Sequence, residues 1–490
     1  MGRRKVIIAL ALVMLCASGV AWIVLSQAPS IDSIAALSRL ARDAQSAGLD
    51  GRNGWPDLVA LGREVDGIVK PIRWREEEAD EAAKRSGVTP EAWARQVSLF
   101  PNCTAVKSPR DDRLYREAMD AITRAGIFDR LRDARTAPVF LADVQSRSRN
   151  SHSDEYQAIH SVPRGRMYAL AEACIAAMFD AASAGEYSFA IERLRDYMAV
   201  IDAMGRQPGG SSWYQAASFE RLIGETVVWA AWNGGLASAP LCEAALEVWP
   251  GYSLARFGAG MEGLRLECRA SVELTAERKH DSAMGMLESA IPWYGFDSAA
   301  AIKEIEVAFA KAQGSRTESM KAVVAARRSG SSRESVPLGK YRSVHDLTDQ
   351  FYELVIHAQK LQLQQSGDLI VVALNVYTSR HGAPPATLGA LVPAILPELP
   401  SDPVAPDGRF RYIPGPTMAD VVVYSVGFDG ADDGGVFSPE VPLERLNTDA
   451  VGIDVVFWPP YCASDSATGS DEDSAMRGPA APAPPAGRSE

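Results

Sequence analysis

Basic charge is the first thing this chain is short of. Its 50 Lys and Arg face 62 Asp and Glu, a formal net charge of −12. Binding a nucleic-acid backbone needs a basic face, so nucleic acid is excluded as the main partner. Cysteine is sparse as well: six in 490 residues, none in a CxxC pair, which removes the zinc-ligand spacings. The chain also has no GxSxG, HExxH, P-loop or Cys–His signature. The 47% hydrophobic content is that of an ordinary globular protein, and 490 residues exceed one usual domain. An acidic surface of this kind is soluble and prefers cations.

Charge is also missing from one long run near the start. Arg3, Arg4 and Lys5 precede Val6–Leu25, which carries no charged residue. That run is long enough to cross a bilayer as a helix and longer than the usual core of a signal peptide. The best small-residue cleavage site, Ser26-Gln27-Ala28, is followed by Pro29, and Leu15 spoils Cys16 as a lipid-attachment site. An uncleaved single-pass anchor at 6–25 is therefore favoured over a cleaved signal peptide, with 1–5 as a cytoplasmic basic end. The basic flank puts everything after Ser26 outside the cytoplasm. The expected location is the cytoplasmic membrane, with the bulk in the periplasm or extracytoplasmic space. The inner membrane is then a partner through the N-terminal helix, and envelope proteins are candidate partners of the body.

From 31 to 314 the pattern reads as an α-helical domain. Ser33 caps a helix through Gln45, Pro56 opens one that Pro71 should stop, and Thr89-Pro90-Glu91 starts another towards Leu99. Asp111–Leu131 has helical spacing. Met167–Met204 is the clearest helical hairpin, broken at Ser183-Ala184-Gly185-Glu186. Its ASAGEYSFAIERL run resembles the turn of a tetratricopeptide repeat, but no second copy stands at the required period. Further helices are expected over Ser212–Trp232, Leu241–Trp249, Ser253–Lys279 and Asp297–Gln313. His152, Asp154, Glu155 and His160 cluster in a polar run, yet no helical register unites them, so the run reads as a solvated loop. The spread of cysteines leaves Cys242–Cys268 or Cys103–Cys174 open as disulfides, against Cys174 and Cys268 as small buried hydrophobes.

Residues 315–343 read as a linker, 344–460 as a second unit and 461–490 as a disordered tail. The second unit starts with a helix to Arg380 that carries an apolar side and ends at Gly382. Thr387 should cap a short helix through Leu391. Strands are expected at Phe410–Ile413, Asp420–Val426 and Ile453–Trp458. The fold class is α+β.

The order of motifs in this unit is distinctive: ALNVYTSRHG, PPATLGALV, LPELPSDPVAPDGRFRYIPG, YSVGFDGADDGG and IDVVFWPP. In that order it resembles the globular head of the type II secretion major pseudopilin, over about a quarter of the chain. The resemblance implies a helix leading into a small antiparallel sheet and a late glycine-rich loop that binds calcium. The N-terminus lacks the glycine-phenylalanine-threonine junction and following glutamate of a prepilin, and some three hundred helical residues separate anchor from head. The whole chain is more similar to uncharacterised bacterial envelope proteins that attach such a head to an exported helical region.

Calcium chemistry can also be argued from the loop itself. Calcium takes oxygen ligands from carboxylates, carbonyls and water in a flexible loop. Asp429, Asp432 and Asp433 fall within one glycine-rich stretch, and Asp454, which matches an acidic position of the family, could close the set as a structural calcium site. The competing reading is an Asp-Gly hairpin turn. These features favour a non-catalytic membrane-anchored scaffold with a calcium-stabilised head. The alternatives are an exported hydrolase-like enzyme, using helical glutamates such as Glu172, Glu220, Glu225 and Glu267, and an accessory component of a type II secretion or pilus-like assembly.

Overall fold

A computed structural model describes residues 52–85, 112–137, 164–205, 210–249, scattered helical positions between 262 and 310, 342–435 and 454–459. The N-terminal run 6–25, the helices expected from Ser33 and Thr89, the His152–His160 run, most of the linker and the tail lie outside them. Among the described residues no helix is long and apolar enough to cross a membrane. The architecture is mostly helical with one small antiparallel sheet, an α+β fold.

The helices are α1 (Trp55–Arg85), α2 (Asp112–Arg124), α3 (Ile127–Ala134), α4 (Arg164–Ser183), α5 (Tyr187–Gly205), α6 (Gly210–Gly234), α7 (Ala239–Val248) and α8 (Arg342–His381). Three places differ from the sequence expectation in an instructive way. Pro71 does not stop α1, which runs on to Arg85. A proline inside a helix costs about 3 kcal/mol through its missing N–H and its ring. Here Val69 and Ile72, on either side of it, are buried in the core, and that burial holds the helix through the proline. The stretch Asp111–Leu131 is two helices, because Gly126 sits at φ 66° and turns the chain. Thr387 has an extended backbone and no side-chain cap, and it leads into a single 3-10 turn, Leu388–Leu391.

The hairpin α4–α5 forms where the spacing places it. Gly185, at φ 74°, takes the left-handed conformation that closes α4. Its N–H donates to the Ala182 carbonyl and that of Glu186 to the Ala181 carbonyl, at 3.1 and 2.8 Å. Helix α4 is buried on nearly every side, with Ala169, Ala171, Ala173, Ala176 and Ala177 all in the core. Alanine on all faces lets α1, α5 and α6 approach it closely. Cys174 is a buried free thiol, as are Cys242 and the partly buried Cys268, so Cys242–Cys268 is not a disulfide. Burial raises the Cys242 thiol to about 12, which keeps it inert.

Helix α8 is the spine of the molecule. It packs on α6 and α7 along one side and on the sheet along another. Gly382, at φ 83°, ends it and donates to the Thr378 carbonyl at 2.8 Å. The sheet has the order β1 (Arg411–Ile413), β2 (Val422–Ser425), β3 (Val455–Trp458), antiparallel throughout. Tyr412 pairs with Val423, and Val423 with Trp458, with an irregularity at Val423–Tyr424. A Cβ added to Gly367 of α8 would collide with the Phe457 ring, so the glycine is what lets the sheet close on the spine. Trp458 meets Trp232 of α6 edge to face at 5.1 Å, and its Nε1 donates to the Met418 carbonyl at 2.5 Å. One hydrophobic core thus runs through the bundle and the sheet.

Candidate functional site

The glycine-rich acidic loop follows β2 directly. Gly427, Gly430, Gly434 and Gly435 all have φ between 71° and 80°, backbone that other residues adopt only under strain. The loop is tied to the start of β3 by one side chain. Asp454 is 1% exposed, and its Oδ2 accepts the Gly435 N–H at 2.7 Å while Oδ1 accepts the Asp433 N–H at 3.4 Å. Burial pushes its carboxyl up to about 6 against these two donors, and the Asp433 and Asp432 charges add to the rise.

The other three carboxylates have separate neighbours. Asp429 Oδ1 accepts the Ala431 N–H at 3.0 Å, a turn closed on itself. Asp432 accepts from the Tyr424 hydroxyl and the Gly434 N–H through Oδ1, and from Arg411 Nε through Oδ2. Burial raises the Asp432 carboxyl, but those three donors outweigh it and hold the group below the usual range. Asp433 Oδ2 is buried with no hydrogen-bond partner among the described residues. Among the described residues no group of three or more His, Cys, Asp or Glu side chains could hold a metal ion by itself. The structure therefore brings Asp433 and Asp454 together and gives Asp429 and Asp432 protein partners. An orphaned buried oxygen beside a second buried carboxylate is chemistry that fits a calcium ion completed by backbone carbonyls and water.

A second polar constellation lies at the contact of α6 with α8. Of the helical glutamates singled out by sequence, Glu220 and Glu225 both face α8, Glu172 is half-buried on α4, and Glu267 lies outside the described residues. Gln364 Nε2 donates to Glu225 Oε1 at 3.0 Å, and Arg221 Nη1 lies 2.5 Å from the same oxygen. Gln365 Nε2 donates to the Ala217 carbonyl at 3.1 Å and reaches Glu220 Oε2 at 3.4 Å. Between them Asp368, 5% exposed, presses on the α6 backbone where Gly224 leaves space. Sequence reasoning passed over Asp368. Its signal was a lone carboxylate in the run Leu361–Thr378, which is otherwise free of charge.

No protein-family model, no curated protein and no solved structure matches the chain.

Proposed function

We propose that the chain is a non-catalytic, membrane-anchored extracytoplasmic protein: a helical interaction scaffold carrying a pseudopilin-like head that calcium stabilises. The anchor is the uncharged run 6–25, with Arg3, Arg4 and Lys5 on the cytoplasmic side. The observation that supports the head reading is the order of its parts. A long helix leads into a three-stranded antiparallel sheet, and a glycine-rich acidic loop is clasped to the last strand by Asp454.

Asp433 and Asp454 are the principal calcium ligands in this proposal, with loop carbonyls beside them. A bound cation would offset the repulsion of the buried Asp454 and half-buried Asp433 carboxylates and fix the loop on β3. Millimolar calcium outside the cytoplasm suits even a weak site of this kind. The role is structural. The hydrogen bonds of Glu220 and Glu225 to α8 likewise serve packing, which favours the scaffold over an enzyme reading.

The test uses the full chain in detergent, because α8 shares its core with α6 and α7. Calcium is expected to raise the unfolding midpoint where magnesium does not, and Asp454→Ala to abolish the rise. No calcium-dependent shift in the wild type sinks the metal site. A C-terminal alkaline phosphatase fusion should be active in cells; an inactive fusion overturns the exported topology.

A further inference from the structure

The contact between α6 and α8 is built in a way that a permanent core contact is not. Gln364, Gln365 and Asp368 of α8 lie against α6, and Gln365 and Asp368 are buried there. Interior helix faces are ordinarily apolar, and a polar patch within an otherwise apolar contact is the part that separates most readily. At the middle of the seam one group is out of place as an ion. Asp368 Oδ2 is buried with no hydrogen-bond partner among the described residues. A Cβ on Gly224 would collide with this carboxyl, so no side chain of α6 at that turn shields it.

An ionised carboxylate in that setting pays desolvation with only the Gln364 side chain to offset it and nothing on Oδ2, and the neutral acid is the form that fits. The charged groups acting on it come from α6. Glu225 opposes ionisation and Arg221 favours it, but the Arg221 guanidinium is already held by Glu225. On α8 itself, among the described residues, Gln364 is the hydrogen-bonding neighbour acting on the carboxyl. Among the described residues the sheet places the Phe457 ring next door, at Gly367. Helix α7 contributes Glu243, which Arg380 occupies at the far end of the spine. Burial, then the Glu225 charge, push the Asp368 carboxyl well above the ordinary carboxylate range.

We propose that the seat of α8 on α6 is a proton-operated clasp, closed while Asp368 is neutral and loosened when it ionises. Linkage sets the sign. A group whose docked pKa is raised contributes stability that is complete below its free value, about 3.9, and is lost as pH rises through the docked value. In between, the docked state holds one proton more than the undocked state. The opening constant of the seam therefore rises about tenfold per pH unit in that window. Because α8 also carries the sheet, loosening the seam weakens one of the head's attachments to the bundle, beside the α7 contact and the Trp232–Trp458 pair. The device does not depend on the calcium proposal, since Asp368 lies outside that loop.

Amide hydrogen exchange on the full chain in detergent, corrected for intrinsic rates, tests it between pH 6 and pH 8, above the titration of Asp196 in α5. Peptides from 216–228 and 359–372 should lose protection steeply as pH rises, while peptides from 167–204 in α4 and α5 keep theirs. Asp368→Asn should hold the seam peptides protected across the range. Equal loss in the wild type and the Asn variant overturns the clasp, as does loss spread evenly over α4 and α5. Should the variant not fold, the wild type alone decides. Seam protection that stays level with pH, or that falls only in step with α4 and α5, refutes the proposal.

Discussion

The contacts α4–α5 and α6–α8 sit in one core and are made of different material. In the first, the helices pack with Ala173, Cys174, Ala177 and Met178 of one and Ala190, Leu194 and Ile201 of the other all buried. In the second, Gln364, Gln365 and Asp368 meet Glu220, Arg221 and Glu225. An apolar contact between small side chains gains from every atom removed from water and has nothing to exchange with solvent. A polar contact gains little net, because its groups are nearly as well served by water once they separate. The hairpin is therefore the fixed unit, and the spine is the part with an alternative.

The hairpin does keep one charge cluster, and breaking it is expected to have the largest effect. Arg193 is 1% exposed, stacked over the rings of Phe128 at 4.3 Å and Phe189 at 4.8 Å, and its Nη1 lies 3.0 Å from Asp196. Arg193→Ala leaves Asp196 buried with Arg135 as its remaining partner, and should cost about 3–5 kcal/mol in urea unfolding. Ala173→Leu overfills a helix that has no exposed side at that turn, with an expected loss of about 1–3 kcal/mol. A loss near zero there would mean that the hairpin is looser than the seam. Gln365→Leu in the seam should cost less, about 1 kcal/mol, since its bonds to Ala217 and Glu220 exchange for water. Gly185→Ala, where a Cβ meets nothing and only the positive φ resists it, should lower stability by about 1 kcal/mol without altering the seam.

Burial pushes Asp196 up to about 6, against the pull of Arg193 and Arg135. Its contribution to stability is complete below about 4 and is lost as pH rises to about 6, leaving no slope above that. A fall in midpoint above pH 6 that Asp368→Asn removes then belongs to the seam; thermal melts in parallel buffers measure it.

Where α4 and α5 begin and end was legible because the signals are local. An apolar rhythm of helical period and a glycine that can adopt positive φ need no knowledge of distant residues. The same holds for the three strands and for Gly382. Pro71 misled because its local cost is real and is overcome by the tertiary burial of Val69 and Ile72. The acidic loop was legible as a cluster, yet its four carboxylates do not act alike. Asp432 is claimed by Arg411 and Tyr424 on neighbouring strands, and Asp454 by the amides of Gly435 and Asp433. Nothing in the spacing of Asp429, Asp432 and Asp433 could assign those partners.

What depends on neighbours along the chain could be read from the sequence: the helical hairpin, the α+β order and the acidic loop, but not the break at Gly126. Tertiary structure alone decided that α8 is a spine shared by bundle and sheet. It also decided that Gly224 faces Asp368 and Gly367 faces Phe457. The physical reason is that side-chain burial and pKa are set by whatever lies across the contact. For Asp368 that is a helix more than a hundred residues earlier in the chain.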